Sequence, residues 1–294
     1  MDVVEAPPER YDEMIELALR RSPHLDRGFL EPLFRDPAFT LESRFLTAVE
    51  GDELLAWGGL VRLAPFPEHW RFLRLIVATE HENRGLGSAL HAQLVEGLDE
   101  GILLRGGVHD DEARGLAIAQ HWGFGILQHS ISSEVALPSS VPLRAVPDDV
   151  TLESTTTLEV PDQDAFDAML DASQTNPERR QFAMDRAMLL DFISENERPL
   201  GALLRVAGTP AAISWGSVFD EKAHIAYTGV DPAFRGRGLG YLVKQEMHRL
   251  AYDAGARVCA TDNEEHNDGI RHVNAELGYV KKSGAYWLQN PLQL

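Results

Sequence analysis

The sequence predicts a mixed α/β fold built twice along one chain, and three observations predict it. The segment from Val230 to Gly240 reads as the end of a strand, a glycine-rich turn and the first residues of a helix. A matching segment runs from Val77 to Gly87, its valine 153 positions before the other. Around each copy, hairpin-like sequence leads into a strand, helix, strand, helix succession, which is the pattern of a sheet covered by helices.

The elements follow in order. Each half opens on helical sequence, at Glu9 to Arg21 and at Asp162 to Leu170. Ser43 to Val49, the Gly51-Asp52 turn and Leu54 to Leu63 predict a hairpin, and Leu200 to Val206 with Ala211 to Val218 predict its counterpart. After the second glycine turn, Leu239, Leu242, Val243, Met247, Leu250 and Ala251 form an apolar stripe at helical spacing, and Gly255 supplies a stop. A strand from Arg257 to Thr261 and a helix from Asn267 to Leu277 complete the half, closed by Gly278-Tyr279. In the first half Ala89, Leu90 and Leu94 repeat the helical stripe, and Gly123-Phe124 repeats the closing pair. Residues 138–149, rich in Pro and Ser and without periodicity, read as a linker between domains at 1–137 and 150–294. Each half, at about 150 residues, is long enough to bury its own core.

The turn carries the chemistry. Gly236, Gly238 and Gly240 allow a tight turn and close backbone approach, and the free N–H groups at a helix start favour an anion such as a pyrophosphate. The segment lacks the Lys and Ser or Thr of a Walker loop, and its glycine spacing departs from G-x-G-x-x-G. An ordinary strand-to-helix connection is the alternative, and repetition of the pattern weighs against it.

Composition narrows the function. With 27 basic and 46 acidic residues the formal charge is −19, which repels nucleic acid and anionic membrane. An acidic surface suits a cationic amine substrate, and it also serves solubility. The single cysteine, Cys259, excludes an internal disulfide and reads as core filler. The N-terminus lacks a signal-peptide apolar region and no stretch is long enough to span a bilayer, so a cytoplasmic protein is expected. The 11 histidines are scattered, and His266 beside Glu264 and Glu265 reads as a solvated loop, so no metal is expected.

The pattern V-x-x-x-x-[QR]-x-x-G-x-G, with a downstream Asn helix and a closing L-G-[FY], resembles the GNAT family, the Gcn5-related N-acetyltransferases. The resemblance covers nearly the whole chain twice and implies two tandem GNAT-like domains. Each would have a central, mostly antiparallel sheet with helices on both faces. It implies acetyl-CoA as co-substrate and transfer to a primary amine, most simply of a small molecule. In the second copy it assigns Val230, Arg235, Gly236, Arg237, Gly238, Gly240, Tyr241, Asn267 and Asn274 to the cofactor. In the first copy it assigns Val77, Arg84, Gly85, Gly87 and Ser88. There Glu82 stands where Arg235 stands and Asn83 replaces Gly236, so the first half reads as degenerate. The tandem arrangement is similar to that of the mycothiol synthases, from which only the architecture is carried over.

The family also implies a strand that splays before the turn, freeing the backbone N–H near Val230 to bind the pantetheine arm or polarise the carbonyl. It places a general base, in some members, six residues earlier, here at His224. Alternation would put residues 224, 226, 228 and 230 on one face, with His224 beside Thr228, although a solvent-facing histidine fits the sequence equally. The first copy has Arg71 there. A tyrosine four residues before the closing glycine protonates the thiolate in many members; this chain has Asn274, and Ala119 in the first copy. Water, Tyr241, Tyr279 or Tyr286 would have to replace it. Asn267 and Asn274 lie seven apart on one helical face, and Asn267 also reads as a helix cap. A non-catalytic acyl-CoA sensor and a protein N-terminal or lysine acetyltransferase are the competing readings. The acceptor would contact the early helices and loops, such as Arg27 to Phe39 and Ser173 to Arg180.

Overall fold

The computed structural model describes residues 2–22, 25, 27–64, 66–160, 162–172, 186–191 and 197–291. Ser173 to Arg180, expected near the acceptor, lie outside the described residues. Two compact units emerge: residues 1–127 with 286–294, and residues 128–285.

The first unit contains β1 (Asp2–Glu5), α1 (Tyr11–Arg21), α2 (Arg27–Arg35), β2 (Thr40–Glu50), β3 (Glu53–Leu63), β4 (Trp70–Val77), α3 (Leu86–Val95), β5 (Leu103–His109) and α4 (Ala113–His121). Its strands run in the order β1-β2-β3-β4-β5, antiparallel except for the parallel β4–β5 pair. On one face Met14, Ile15, Leu17 and Ala18 of α1 and Leu30 and Leu33 of α2 pack on Phe45, Trp57 and Ile76. On the other, Leu86, Leu90 and Leu94 of α3 cover Leu46, Ala48 and Leu60.

The chain continues with β6 (Gly125–Ala136), β7 (Val150–Thr155), α5 (Gln163–Ala172), α6 (Arg186–Asp191), β8 (Arg198–Val206), β9 (Thr209–Phe219) and β10 (Lys222–Val230). Then come α7 (Leu239–Asp253), β11 (Val258–Glu264), α8 (Asp268–Glu276) and β12 (Val280–Asn290). In the second unit the order is β7-β8-β9-β10-β11-β6, again with one parallel pair, β10–β11. Every residue of the predicted α7 stripe is buried, and the stripe packs on Leu204, Ala212, Val218 and Ile225. The opposite face is covered by Phe166, Met169 and Leu170 of α5, against Ile213, Trp215 and Tyr227. Both halves therefore have the mixed α/β architecture expected, a mostly antiparallel sheet with helices on each face.

Two domain boundaries differ from the reading of composition. Residues 286–294 group with the first unit because Tyr286 and Leu288 join its α3 core and Asn290 donates through Nδ2 to the Trp122 carbonyl at 2.9 Å. Residues 138–149 are mostly exposed and are tied to the second unit at a few points. Val141 lies against the α7 core, Ser139 Oγ donates to the Leu277 carbonyl at 3.4 Å, and the Arg144 amide donates to Gln245 Oε1 at 2.8 Å. No helix among the described residues is long and apolar enough to cross a membrane. No group of three or more potential metal ligands occurs among them.

Candidate active site

The strand that feeds the second glycine turn is paired on one side only along half its length. β10 pairs with β9 from Lys222 to Val230, whereas its register with β11 runs only from Lys222 to Ile225. β11 itself continues to Glu264 against β6. Asp231 N donates to the Ala211 carbonyl on the β9 side at 3.0 Å. Backbone groups alternate along a strand, so the N–H groups of Val230 and Thr228 turn toward the opposite, open edge.

The cause of the opening is local. The β9 register skips Ala226, a β-bulge between Ile225 and Tyr227. Such an extra residue bends the strand and ends the neighbouring ladder. It also reverses the faces downstream. Ala223 and Ile225 point into the α7 core, while Tyr227 joins Trp215 in the α5 core. His224 and Thr228 therefore lie on opposite faces, which corrects the expectation that residues 224 to 230 share one face. Gly229 makes room for this turn of the chain: a Cβ there would sit 2.2 Å from the Tyr227 hydroxyl.

His224 is half-exposed and its Nε2 lies 2.8 Å from Asp262 Oδ2. With the Nε2 proton held by the carboxylate, Nδ1 carries the lone pair. Burial pushes the Asp262 carboxyl up, but the His224 hydrogen bond, Ser132 and Lys222 together hold it below the usual carboxylate range. At about 3.3 Å per residue, Val230 lies about 20 Å along the strand from His224. The two cannot serve one carbonyl.

The turn has the conformation its glycines predict. Gly236 has φ +80° and Gly238 φ +74°, with open space where a Cβ would stand at Gly236. Gly238 is the N-cap of α7, and a single-turn helix from Pro232 to Phe234 precedes it, capped by Asp231 Oδ1 accepting from the Ala233 amide at 2.7 Å. Gly240 plays a different part: it is helical, and its Cβ position lies 3.5 Å from Val230 and 3.7 Å from Val273, so it sets the close packing of α7 on β10 and α8. Arg235 is exposed at the turn. Arg237 bonds Asp149 Oδ2 at 2.7 Å, and this holds the Asp149 carboxyl below its ordinary range. Arg144, within the Pro- and Ser-rich segment at 138–149, stacks its guanidinium 3.7 Å over the Tyr241 ring and reaches within 4.0 Å of the Gly238 Cβ position. A third guanidinium thus stands beside the turn. Only its position in a Pro-rich segment was visible in the sequence.

Several expected cofactor ligands are occupied by the fold. Tyr241 is a core residue, 2 % exposed, its hydroxyl donating to the Pro142 carbonyl at 3.4 Å. Asn267 caps α8, accepting from the Ile270 amide at 3.4 Å. Asn274 is buried: its Oδ1 accepts from Lys244 Nζ at 2.6 Å and its Nδ2 donates to Asn263 Oδ1 at 2.5 Å. Asn263, Arg271, Asn274, Tyr279 and Lys281 border a cavity of about 170 Å³ beside α8. None of the three tyrosines suits proton donation to a thiolate. Tyr241 is engaged as described, and Tyr286 belongs to the first unit's core. Tyr279 is buried with its hydroxyl donating to Cys259 Sγ at 3.2 Å, and burial raises its pKa well above that of a free phenol.

In the first unit the same elements recur with their chemistry closed off. β4 pairs with β5 only over Trp70 to Phe72. Asn83 adopts φ +63° where the second copy has Gly236, and Gly85 adopts φ +79° as the N-cap of α3. Asparagine tolerates that left-handed conformation. Gly87 lies 3.7 Å from Val77 at its Cβ position, and Ser88 stands in the first turn of α3. Arg84 contacts His81 Nδ1 at 2.9 Å and Glu50 at 3.4 Å. Glu82 is clamped by Arg21 at 3.0 Å and by Arg114, which also donates to Asn83 Oδ1 at 2.7 Å. Arg71, at the His224 position, is tied to Glu42 at 2.8 Å and to the Glu68 and Trp70 carbonyls.

Comparison with known proteins identifies the family of both units. The model of the acetyltransferase (GNAT) family matches residues 11–124, and that of the acetyltransferase (GNAT) domain matches residues 151–260. A mycothiol acetyltransferase of Nocardioides sp. is 26 % identical over 198 residues, covering 61 % of this chain and 66 % of that protein. The chain thus spans just under two-thirds of the length of that curated relative. A tandem GNAT protein from the clavulanic acid biosynthesis pathway superposes with a TM-score of 0.68 at 20 % identity, covering 98 % of this chain and 97 % of that one. A GCN5-related N-acetyltransferase from Sphaerobacter thermophilus gives a TM-score of 0.71 at 15 % identity, covering 98 % and 95 %. Two family matches laid end to end on two units with the same strand order leave one conclusion: the chain belongs to the GNAT acetyltransferase family, as a tandem of two such domains.

Proposed function

We propose that the chain is an acetyl-CoA-dependent N-acetyltransferase whose second unit moves the acetyl group directly to a primary amine, most simply of a small molecule. The observation that carries this reading is the open edge of β10, which leads from the His224–Asp262 pair to a positive-φ glycine turn and the N-terminus of α7. A thioester laid along that edge meets the N–H groups of Thr228 and Val230. The amides of Leu239 and Gly240, at the positive end of α7, receive the diphosphate, with Arg144, Arg235 and Arg237 around it. Val230 N–H holds the pantetheine arm, and Thr228 N–H, nearer the bulge, polarises the thioester carbonyl.

His224 acts as general base. Thr228 lies about 13 Å along the strand from His224, so Nδ1 takes the proton of the bound ammonium through intervening water; Asp262 stabilises the imidazolium, and the neutral amine attacks the carbonyl carbon. The C–S bond then breaks, and the coenzyme leaves as a thiolate that takes its proton from water or from the new N-protonated amide. The first unit, with its turn bound by Arg114 and its base position filled by Arg71, is a structural partner.

The test combines calorimetric titration with acetyl-CoA and an assay of amine-dependent coenzyme A release. One site per chain is expected, with His224→Ala lowering turnover about 100-fold or more while leaving the acetyl-CoA affinity intact. Absence of acetyl-CoA binding would sink the proposal. Binding without turnover over a wide amine panel would favour an acyl-CoA sensor, a reading that the fully engaged Asn274 amide supports.

A further inference from the structure

Helix α7 buries a lysine whole. Lys244 stands among the apolar residues of that helix, and although burial lowers its pKa to about 8, it stays charged at neutral pH. Among the described residues its ammonium makes one hydrogen bond, to Asn274 Oδ1 of α8 at 2.6 Å, and lies 4.8 Å from the centre of the Tyr279 ring. No described carboxylate bonds it. A charge so placed is destabilising, and an apolar side chain of similar length would suit the core better.

What the ammonium supplies is direction. It can only donate, so it fixes Asn274 with Oδ1 toward α7 and leaves Nδ2 for β11. That Nδ2 donates to Asn263 Oδ1 at 2.5 Å, which fixes the second amide with its own Nδ2 away from Asn274. No described residue accepts from Asn263 Nδ2, and Asn263 borders the cavity of about 170 Å³ beside α8.

The place of Asn263 gives that donor a use. β10 and β11 are last paired at Ile225 and Thr261, and Asn263 is the next β11 residue on the face that Cys259 turns to the α7 core. Counted from that pair, past the bulged Ala226, it stands across the opening from Thr228. α8 borders the same opening: Val230 and Val273 both approach the Gly240 Cβ position, at 3.5 and 3.7 Å, and Asn274 follows Val273.

We infer that Lys244 is a positioning residue for the acyl arm of acetyl-CoA: through Asn274 it holds the Asn263 amide so that Nδ2 donates to a carbonyl of the arm, from the wall opposite the Thr228 and Val230 N–H groups. The inference rests on the proposed acetyl-CoA site at the β10 edge. Without the ammonium, either amide can turn over and present an oxygen, which repels the same carbonyl.

The test is calorimetric titration of the full chain with two probes, acetyl-CoA and ADP, which has the adenosine and the diphosphate but no arm. Lys244→Met is expected to weaken acetyl-CoA about tenfold, the worth of one hydrogen bond, and to leave ADP binding unchanged. Asn274→Asp keeps a partner for Lys244 but cannot donate to Asn263, so it should show the same split even where Lys244→Met fails to fold. Asn263→Ala should lose as much, and combining it with either variant should add less than about a further twofold. Unchanged acetyl-CoA affinity in Asn274→Asp or Asn263→Ala, equal losses for both probes, or losses that multiply in the double variant overturn the inference while leaving the proposed function in place. A wild type that binds no acetyl-CoA overturns both.

Discussion

Lowering the pH should loosen the second unit through one histidine under the active site. His248 of α7 is 6 % exposed, and its Nε2 lies 2.8 Å from the Tyr279 hydroxyl, which in turn donates to Cys259 Sγ. The tyrosine oxygen therefore accepts from Nε2–H, and the imidazole is neutral. Burial first, and then the nearby Lys244 charge, lower its pKa from 6.5 to about 4. The sign follows from linkage. Between those values the unfolded chain binds a proton that the folded protein does not, so stability is present above about 6.5 and drains away as the pH falls toward 4. From pH 7 to pH 5.5 this group alone removes about 1 kcal/mol. The assay is urea unfolding at both pH values for the wild type and His248→Gln, with pH 5.5 kept above the sequence pI of 4.9. The wild type should lose about 1 kcal/mol more than the variant. Equal losses would refute the assignment of a neutral, buried imidazole.

Two further outcomes are expected. Gly238→Ala and Gly85→Ala each place a Cβ at a left-handed position, at a cost of about 1–2 kcal/mol in denaturant unfolding, yet only Gly238→Ala should weaken acetyl-CoA in a calorimetric titration. Lys244 is fully buried with its pKa lowered to about 8 by burial, so wild-type stability should rise by about 2 kcal/mol between pH 8 and 9.5, a rise that Lys244→Met should lack.

The parts of the site legible in the sequence are those that a backbone conformation fixes locally. Gly236 and Gly238 stand at positive φ because the turn requires it, and the spacing of the α7 stripe could bury only one way. Both hairpins and the end of α7 before Gly255 are local in the same sense. The bulge at Ala226 was not legible. Alternation is a pattern of residue types, and one inserted residue in an apolar strand leaves that pattern intact while reversing every side chain beyond it. The partners of Asn274 and Tyr241 were hidden for another reason. Lys244 and Asn263 reach Asn274 from two other elements, 30 and 11 positions away, and periodicity carries no information about such meetings. A polar helical face suggests a cofactor contact for Asn274, and the same polarity also satisfies a buried lysine.

The assignment of residues 286–294 to the first unit has a consequence for how this chain comes into being. A ribosome delivers the helices and first five strands of that unit early, but Tyr286, Leu288 and Asn290, which pack against α3 and bond the Trp122 carbonyl, emerge only after the whole of the second unit. Whatever the second unit can do by itself during synthesis, the first waits for a strand that follows it, with part of its core uncovered. Two similar halves are thus not two independent pieces: no single cut separates them, and a protease that cut just before Tyr286 would injure the domain that the chain builds first.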